Sequence, residues 1–257
     1  NYVQTLLIKS RNSIFEVIRY WLYLAIHVLS IKSTNILVYP SEVENESAKR
    51  IFKVKRSIVI PNIASVCFES YEEYIKLRNN RKDFERPYFI LLAGAKGNKE
   101  AVMLTIKIFN KLPEGKFKLK ITGPWEELKY LVKNSSIELT GIVSYDELKK
   151  LLAEADYGLS PFFSHIAGTF IKVLSYIASD LSIICSYNSI INLNRSLVKR
   201  LVRDGKIYFI KDASDYERVI QEIITSPQPL HIKNPVLCNE LFDEFNNTIK
   251  MQFSIII

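Results

Sequence analysis

The chain has 257 residues, 48% of them hydrophobic and 24% charged, with only 8 Gly and 9 Pro; this fits a folded domain or a domain and a half and excludes a long disordered or low-complexity protein. A net charge of +8 suits partners that carry phosphate. Zinc-ligand spacings, an aromatic RNA-binding pattern and a continuous basic arm are all lacking, which argues against a nucleic-acid-binding protein.

In chain order, residues 13–32 read as a helix, and its stretch from Tyr20 to Ile31 is almost wholly apolar. It is too short for a membrane span, so a buried helix is expected, with an interfacial one as the alternative. Ile36–Tyr39 and Ser57–Ile60 read as short strands around a helix opened by Ser41 and Glu44, a capping box. Pro61 and Asn62 then stop regular structure. The charged stretch over 63–87 reads as a linker with room for one short helix.

From residue 88 the pattern becomes regular. Strands are predicted at Tyr88–Ala93, Phe117–Thr122, Ile137–Leu139, Tyr157–Ser160, Ser182–Ser186 and Ile207–Ile210. Between them run helices marked by Ala101, Leu104, Ile108 and Leu112, by Pro124, and by Leu148, Leu151, Leu152 and Ala155 behind a Ser144/Glu147 cap. Further helices are predicted over Thr169–Ala178, over Leu197–Val202, behind a Ser214/Glu217 cap, and over about 238–251 with Leu241, Phe245 and Ile249 on one face. Strands alternating with helices at this rhythm specify an α/β fold with a parallel sheet covered on both faces. Ligands of such sheets bind beyond the carboxyl ends of the strands.

Cys67, Cys185 and Cys238 are odd in number and far apart, which predicts reduced thiols in a cytosolic protein, with Cys185 in the core. No metal is implied, because neither an Asp-x-Asp pair nor a His/Cys cluster is present.

Several segments, taken in order, resemble the retaining group 1 glycosyltransferases of GT-B fold. LLAGAKGNKEAVMLTIKIF is similar to the first strand, glycine turn and helix of their donor domain. KLKITGPWEEL resembles the second strand and turn, and IELTGIVSYDELKKLLAEADYGLSPFFS the capped helix and the strand that ends in Ser-Pro. GTFIKVLSYIASDLSIICS resembles the donor-binding helix and strand, and VIPN the exit from the acceptor domain. The resemblance covers about residues 35–225. It implies a GT-B-like organisation: a partial acceptor-side domain over 1–62, a linker over 63–87, a Rossmann-like nucleotide-sugar-binding domain over 88–230, and a C-terminal helix over 231–257 that packs back on the N-terminal part.

The implied activity is transfer of a sugar, with retention, from a nucleotide diphosphate sugar to an acceptor. The donor is a substrate and no cofactor is implied. The implied donor-binding residues are Gly94, Lys96 and Lys99 after the first strand, Gly123 after the second, and Ser164, His165, Gly168, Thr169, Lys172 and Ser175 around the donor helix. Glycine permits close backbone approach to phosphate, and a helix start with a lysine one turn in suits a diphosphate.

The chain departs from the family at its Glu-x7-Glu positions, which hold Ala167 and Ser175. Ala95 replaces the arginine that often follows the first glycine, and no counterpart of the catalytic histidine is found. His27 and His231 read as structural. Phe162 and Phe163 read as core aromatics, and Tyr187 and Asn188 as candidate cleft residues. A second reading therefore stands beside the enzyme: a non-catalytic nucleotide-sugar-binding or partner subunit, joined by a protein that completes the N-terminal part. The basic surface and apolar helix also admit a lipid-linked or glycan acceptor and a peripheral membrane contact in the cytoplasm. A dinucleotide oxidoreductase is disfavoured, because the first turn is not G-x-G-x-x-G opening a helix.

Overall fold

The structure is a computed structural model. It describes residues 36–40, 42–54, 56–60, 64–81, 83–94, 96–163, 169–190, 193 and 195–226, with scattered positions over 22–33 and 235–247. The chain divides into two units, Asn1–Asn62 with Asn246–Ile257, and Ile63–Phe245.

In the first unit, β1 (Leu37–Tyr39) pairs in parallel with β2 (Ser57–Val59), and α1 (Glu42–Phe52) connects them. The apolar segment before β1 is helical at its described positions, Leu22, Ala25, Ile26, Val28, Leu29 and Ser33. It was expected to be buried, yet Leu22, Ile26 and Leu29 are 60%, 51% and 66% exposed. An apolar stripe records that a face is suited to cover, not what supplies the cover. No helix among the described residues is long and apolar enough to cross a membrane.

The second unit carries a six-stranded parallel sheet. Its strands are β3 (Tyr88–Leu92), β4 (Lys118–Thr122), β5 (Ile137–Gly141), β6 (Tyr157–Ser160), β7 (Ser182–Ser186) and β8 (Ile207–Ile210), in the order β5-β4-β3-β6-β7-β8. The helices are α2 (Tyr71–Asn79), α3 (Lys99–Phe109), α4 (Tyr145–Glu154), α5 (Thr169–Ala178), α6 (Arg195–Arg203) and α7 (Ala213–Thr225). One face of the sheet packs Phe89, Leu91, Leu119 and Ile121 against Val102, Ile106 and Phe109 of α3 and Ile220 and Ile223 of α7. The other packs Tyr88, Ile90, Ile183 and Cys185 against Leu151 and Leu152 of α4 and Val173 and Tyr176 of α5. The expected α/β sheet with two covered faces is present, and its order turns back at β3, which lies between β4 and β6.

Residues 63–87, expected as a linker with room for one short helix, carry α2 and fall within the unit Ile63–Phe245. Arg78 and Arg81, both buried, reach Asp156 at 3.4 and 2.7 Å. The Asp156 carboxylate also accepts from Tyr88 N at 3.0 Å. A buried carboxylate needs such partners, and here they clamp the segment to the start of β3.

Two local predictions need correction. The turn at Gly123-Pro124 leads into a 3-10 helix, Glu126–Leu131, not an α-helix. Its N-cap is Trp125, which makes no side-chain cap hydrogen bond, since an indole has no acceptor to offer a helix start; its N–H donates to the Ala93 carbonyl at 2.7 Å. The cap of α7 is Asp212, whose carboxylate accepts from Asp215 N at 2.9 Å, while Asp215 accepts from Lys211 N at 3.0 Å. A charged acceptor at a helix start is favoured over a neutral serine, so the box lies two residues before Ser214. Ser144 caps α4 as expected, accepting from Glu147 N at 3.3 Å.

The cysteines also differ from expectation. Cys67 and Cys238 form a disulfide across 171 residues, with Cα atoms 5.1 Å apart. Phe68 and Leu237 bridge in parallel beside it, and Cys238 N donates to Phe68 O at 2.9 Å. No sequence spacing announces a pair set by tertiary contact. Cys185 is fully buried, as predicted. The expected helix over 238–251, with Leu241 and Ile249, lies largely outside the described residues.

Candidate active site at the carboxyl ends of the strands

The loops after β3, β4, β6 and β7 gather at one end of the sheet. Gly94 follows β3 and is exposed, and a Cβ there would meet nothing within 4 Å. The fold itself does not require glycine at this position. Gly123 is the opposite case. Its φ is +121°, and a Cβ would collide with the Ala93 carbonyl and the Trp125 indole, so the turn alone accounts for this residue.

Lys96 opens the 3-10 turn Lys96–Asn98, and Lys99 is the first residue of α3. Lys99 Nζ stands 3.7 Å from a Glu127 oxygen, with both side chains about half exposed. The preceding Asn98 is 2% exposed and caps α3 without a side-chain hydrogen bond; its Nδ2 has no partner among the described residues. The fully buried hydroxyl of Ser160, at the end of β6, is likewise unpartnered among them. Buried polar atoms are ordinarily paired, so these two at one end of adjacent strands stand out. No sequence motif marks either.

Ser164, His165, Ala167 and Gly168 lie outside the described residues, as do His27 and His231. Thr169 is the first residue of α5, whose first turn holds no acidic residue. Lys172, one turn in, is half-buried, and its ammonium lies 4.7 Å from the centre of the Phe162 ring. Burial pushes it down to about 8. Among the described residues it has no carboxylate in ion-pair range. A cation near a helix start opposes the helix dipole, so this lysine lacks a compensating charge from both directions.

Ser175 is fully buried. Its hydroxyl shares a hydrogen bond with that of Ser65 at 2.8 Å and donates to Ile171 O at 3.3 Å. Phe162 is core and Phe163 partly buried. Polar groups after β7 hold their backbone: Ser186 Oγ donates to Phe162 O, Asn188 Nδ2 to Phe163 O at 2.7 Å, and Ser189 Oγ to Ser160 O at 2.8 Å. Tyr187 is 66% exposed. The structure thus brings the ends of β3, β4 and β6 and the start of α5 to one side of the sheet.

The sheet unit has a Rossmann-like α/β fold, and the chain resembles solved glycosyltransferases in fold. It is similar to WaaG, a glycosyltransferase involved in lipopolysaccharide biosynthesis, with a TM-score of 0.57 at 14% identity over 84% of this chain and 57% of that one. A sucrose-phosphate synthase from Thermosynechococcus elongatus matches with a TM-score of 0.57 at 12% identity over 90% and 57% of the two chains. A glycosyltransferase from Rickettsia africae matches with 0.53 at 13% identity over 84% and 58%. The chain therefore spans a little more than half the length of these structures. No family model and no curated protein matches the sequence.

Proposed function

We propose that this chain carries the donor side of a retaining glycosyltransferase, holding the diphosphate of a nucleotide sugar at the start of α5. One observation carries the reading. Lys172 is a half-buried cation in a helix start with no carboxylate in ion-pair range among the described residues, and a diphosphate there would satisfy the lysine and the helix N–H groups together. Gly94, open to solvent and free of any demand from the fold, supports approach of phosphate from the β3 side, with Lys96 and Lys99 beside it. Electrostatic stabilisation of the departing diphosphate would be the protein's main contribution: the bond from anomeric carbon to phosphate oxygen breaks, the acceptor oxygen bonds to that carbon on the same face, and the acceptor's proton is released.

A second reading, a non-catalytic donor-binding or partner subunit, is favoured by a different observation. Ala167 and Ser175 offer no carboxylate, and the Ser175 hydroxyl is buried and engaged with Ser65. Incubation with UDP-, GDP- and ADP-sugars together with a panel of glycan and lipid-linked acceptors, followed by assay of released nucleoside diphosphate and of glycosylated acceptor, separates the two. Release above the protein-free control supports the enzyme; binding without release supports the subunit.

A further inference from the structure

The opposite end of the sheet carries a second recess. In a parallel sheet covered on both faces, strands are apolar on both sides. β4 breaks this rule: Leu119 and Ile121 are buried on one face, while Lys118 and Lys120 occupy the other. In register, Tyr88 lies opposite Lys118 and Glu138 opposite Lys120. α4 covers β3 on this face, and its polar side, with Glu147, Lys150 and Glu154, forms one wall of a groove of about 570 Å³ over β4 and β5. That lies within the ~300–1,000 Å³ of small-molecule sites.

The groove holds groups the fold leaves unmatched. Tyr88 is fully buried and its hydroxyl has no hydrogen-bond partner among the described residues. The charges that act on this hydroxyl are those of Glu154, Glu138, Arg81 and Glu147, all lining the groove. The Lys118 ammonium rests 4.7 Å from the centre of the Tyr88 ring and has no carboxylate in ion-pair range among the described residues. Burial, with Lys120 and Arg81 nearby, holds it below the ordinary lysine value. Lys120 reaches Glu138 at 3.3 Å.

We infer that this groove is a binding site for a small hydroxylated organic anion. Its acidic group, a phosphate or a carboxylate, is held by Lys118 and Lys120. Its hydroxyls meet the Tyr88 hydroxyl and the carboxylates of Glu138 and Glu154. The mixed lining decides the class: the carboxylates of Asp83, Glu138, Glu147 and Glu154 alternate with lysines and arginines, so neither a polyanion such as nucleic acid nor a simple cation meets a field of one sign. An acid group on a polyol meets both charges, and a hydroxyl accepting from Tyr88 removes the cost of an unpaired buried donor.

Calorimetric titration of the full chain with sorbitol 6-phosphate at low salt tests this, with inorganic phosphate and sorbitol as controls. The expected result is saturable one-site binding, tighter than either control. Lys118→Ala weakens it about tenfold, the loss of one charge-assisted contact. Tyr88→Phe weakens it about threefold while the melting temperature holds or rises, because an orphan hydroxyl is removed. Saturating UDP and Lys172→Ala leave it unchanged. Absence of saturable binding, inorganic phosphate binding as tightly, indifference to Lys118→Ala, or competition by UDP would each overturn the inference.

Discussion

The Lys172 ammonium lies 4.7 Å from the centre of the Phe162 ring. A ring face attracts a cation weakly, which does not replace the hydration lost on burial, and burial holds the lysine down at about 8. Between pH 8 and the ordinary lysine value of about 10.4, the unfolded chain binds one more proton than the folded one, so this residue makes stability rise with pH in that window. Below pH 8 both states are charged and the folded state bears the full burial cost. Lys172→Met is expected to stabilise the protein at pH 7 by about 1–3 kcal/mol, and the gain should shrink to nothing as pH rises from about 8 to about 10.4. Chemical denaturation of wild type and variant across pH reads this directly; a difference independent of pH would show that the lysine is not buried as described.

Gly158 and Tyr176 set the spacing of α5 on the sheet. A Cβ on Gly158 would collide with the Tyr176 ring. The Tyr176 hydroxyl accepts from Leu92 N at 2.9 Å and donates to Leu159 O at 3.0 Å, bridging β3 and β6. Gly158→Ala should cost about 2–3 kcal/mol from overpacking, and Tyr176→Phe about 1–3 kcal/mol from a buried N–H left unpaired. Urea denaturation of each variant checks the pair; a neutral Gly158→Ala would contradict the packing.

Asp156 ties Arg78, Arg81 and Tyr88 N together in the interior. Asp156→Ala leaves two buried cations without their carboxylate and should cost about 3–5 kcal/mol. Limited proteolysis should then open new sites within residues 71–86 before the rest of the sheet unit. Unaltered protection of that stretch would mean that α2 is held by other contacts.

The cysteines give a stoichiometric prediction. Among three cysteines, Cys67 and Cys238 are paired, and Cys185 is buried with its thiol pushed up to about 12. A thiol reagent should find no reactive thiol in the native oxidised protein, one after denaturation, and all three after reduction. Reduction should lower stability by about 2–5 kcal/mol, since the bond closes a long loop. Two or more reactive thiols in the denatured, unreduced protein would contradict the pairing.

The sheet was legible because its signals are local. Uninterrupted apolar runs such as Tyr88–Leu92 mark buried strands, and Ser144 with Glu147 marks a helix start. What escaped depends on contacts distant in sequence. Nothing near Cys67 points to Cys238, and nothing near Gly158 points to Tyr176. The charged sequence around Arg78 and Arg81 reads as solvated until Asp156 is placed beside it. The site was legible only in part for the same reason. Lys172 is a candidate through the family resemblance and its place one turn into a predicted helix, whereas Asn98 Nδ2 and Ser160 Oγ, without partners among the described residues, become visible only when the ends of β3 and β6 are side by side. Likewise, the hydroxyl of Ser175 is taken up by Ser65, a residue 110 positions away.

The most direct measurement is calorimetric titration of UDP, GDP and ADP into wild type and Lys172→Ala. A diphosphate at the start of α5 predicts saturable binding of one of the three, weakened about tenfold or more by the substitution and weakened in wild type as pH rises past about 8. No binding of any nucleotide, or binding indifferent to Lys172→Ala, would contradict a donor site at this end of the sheet.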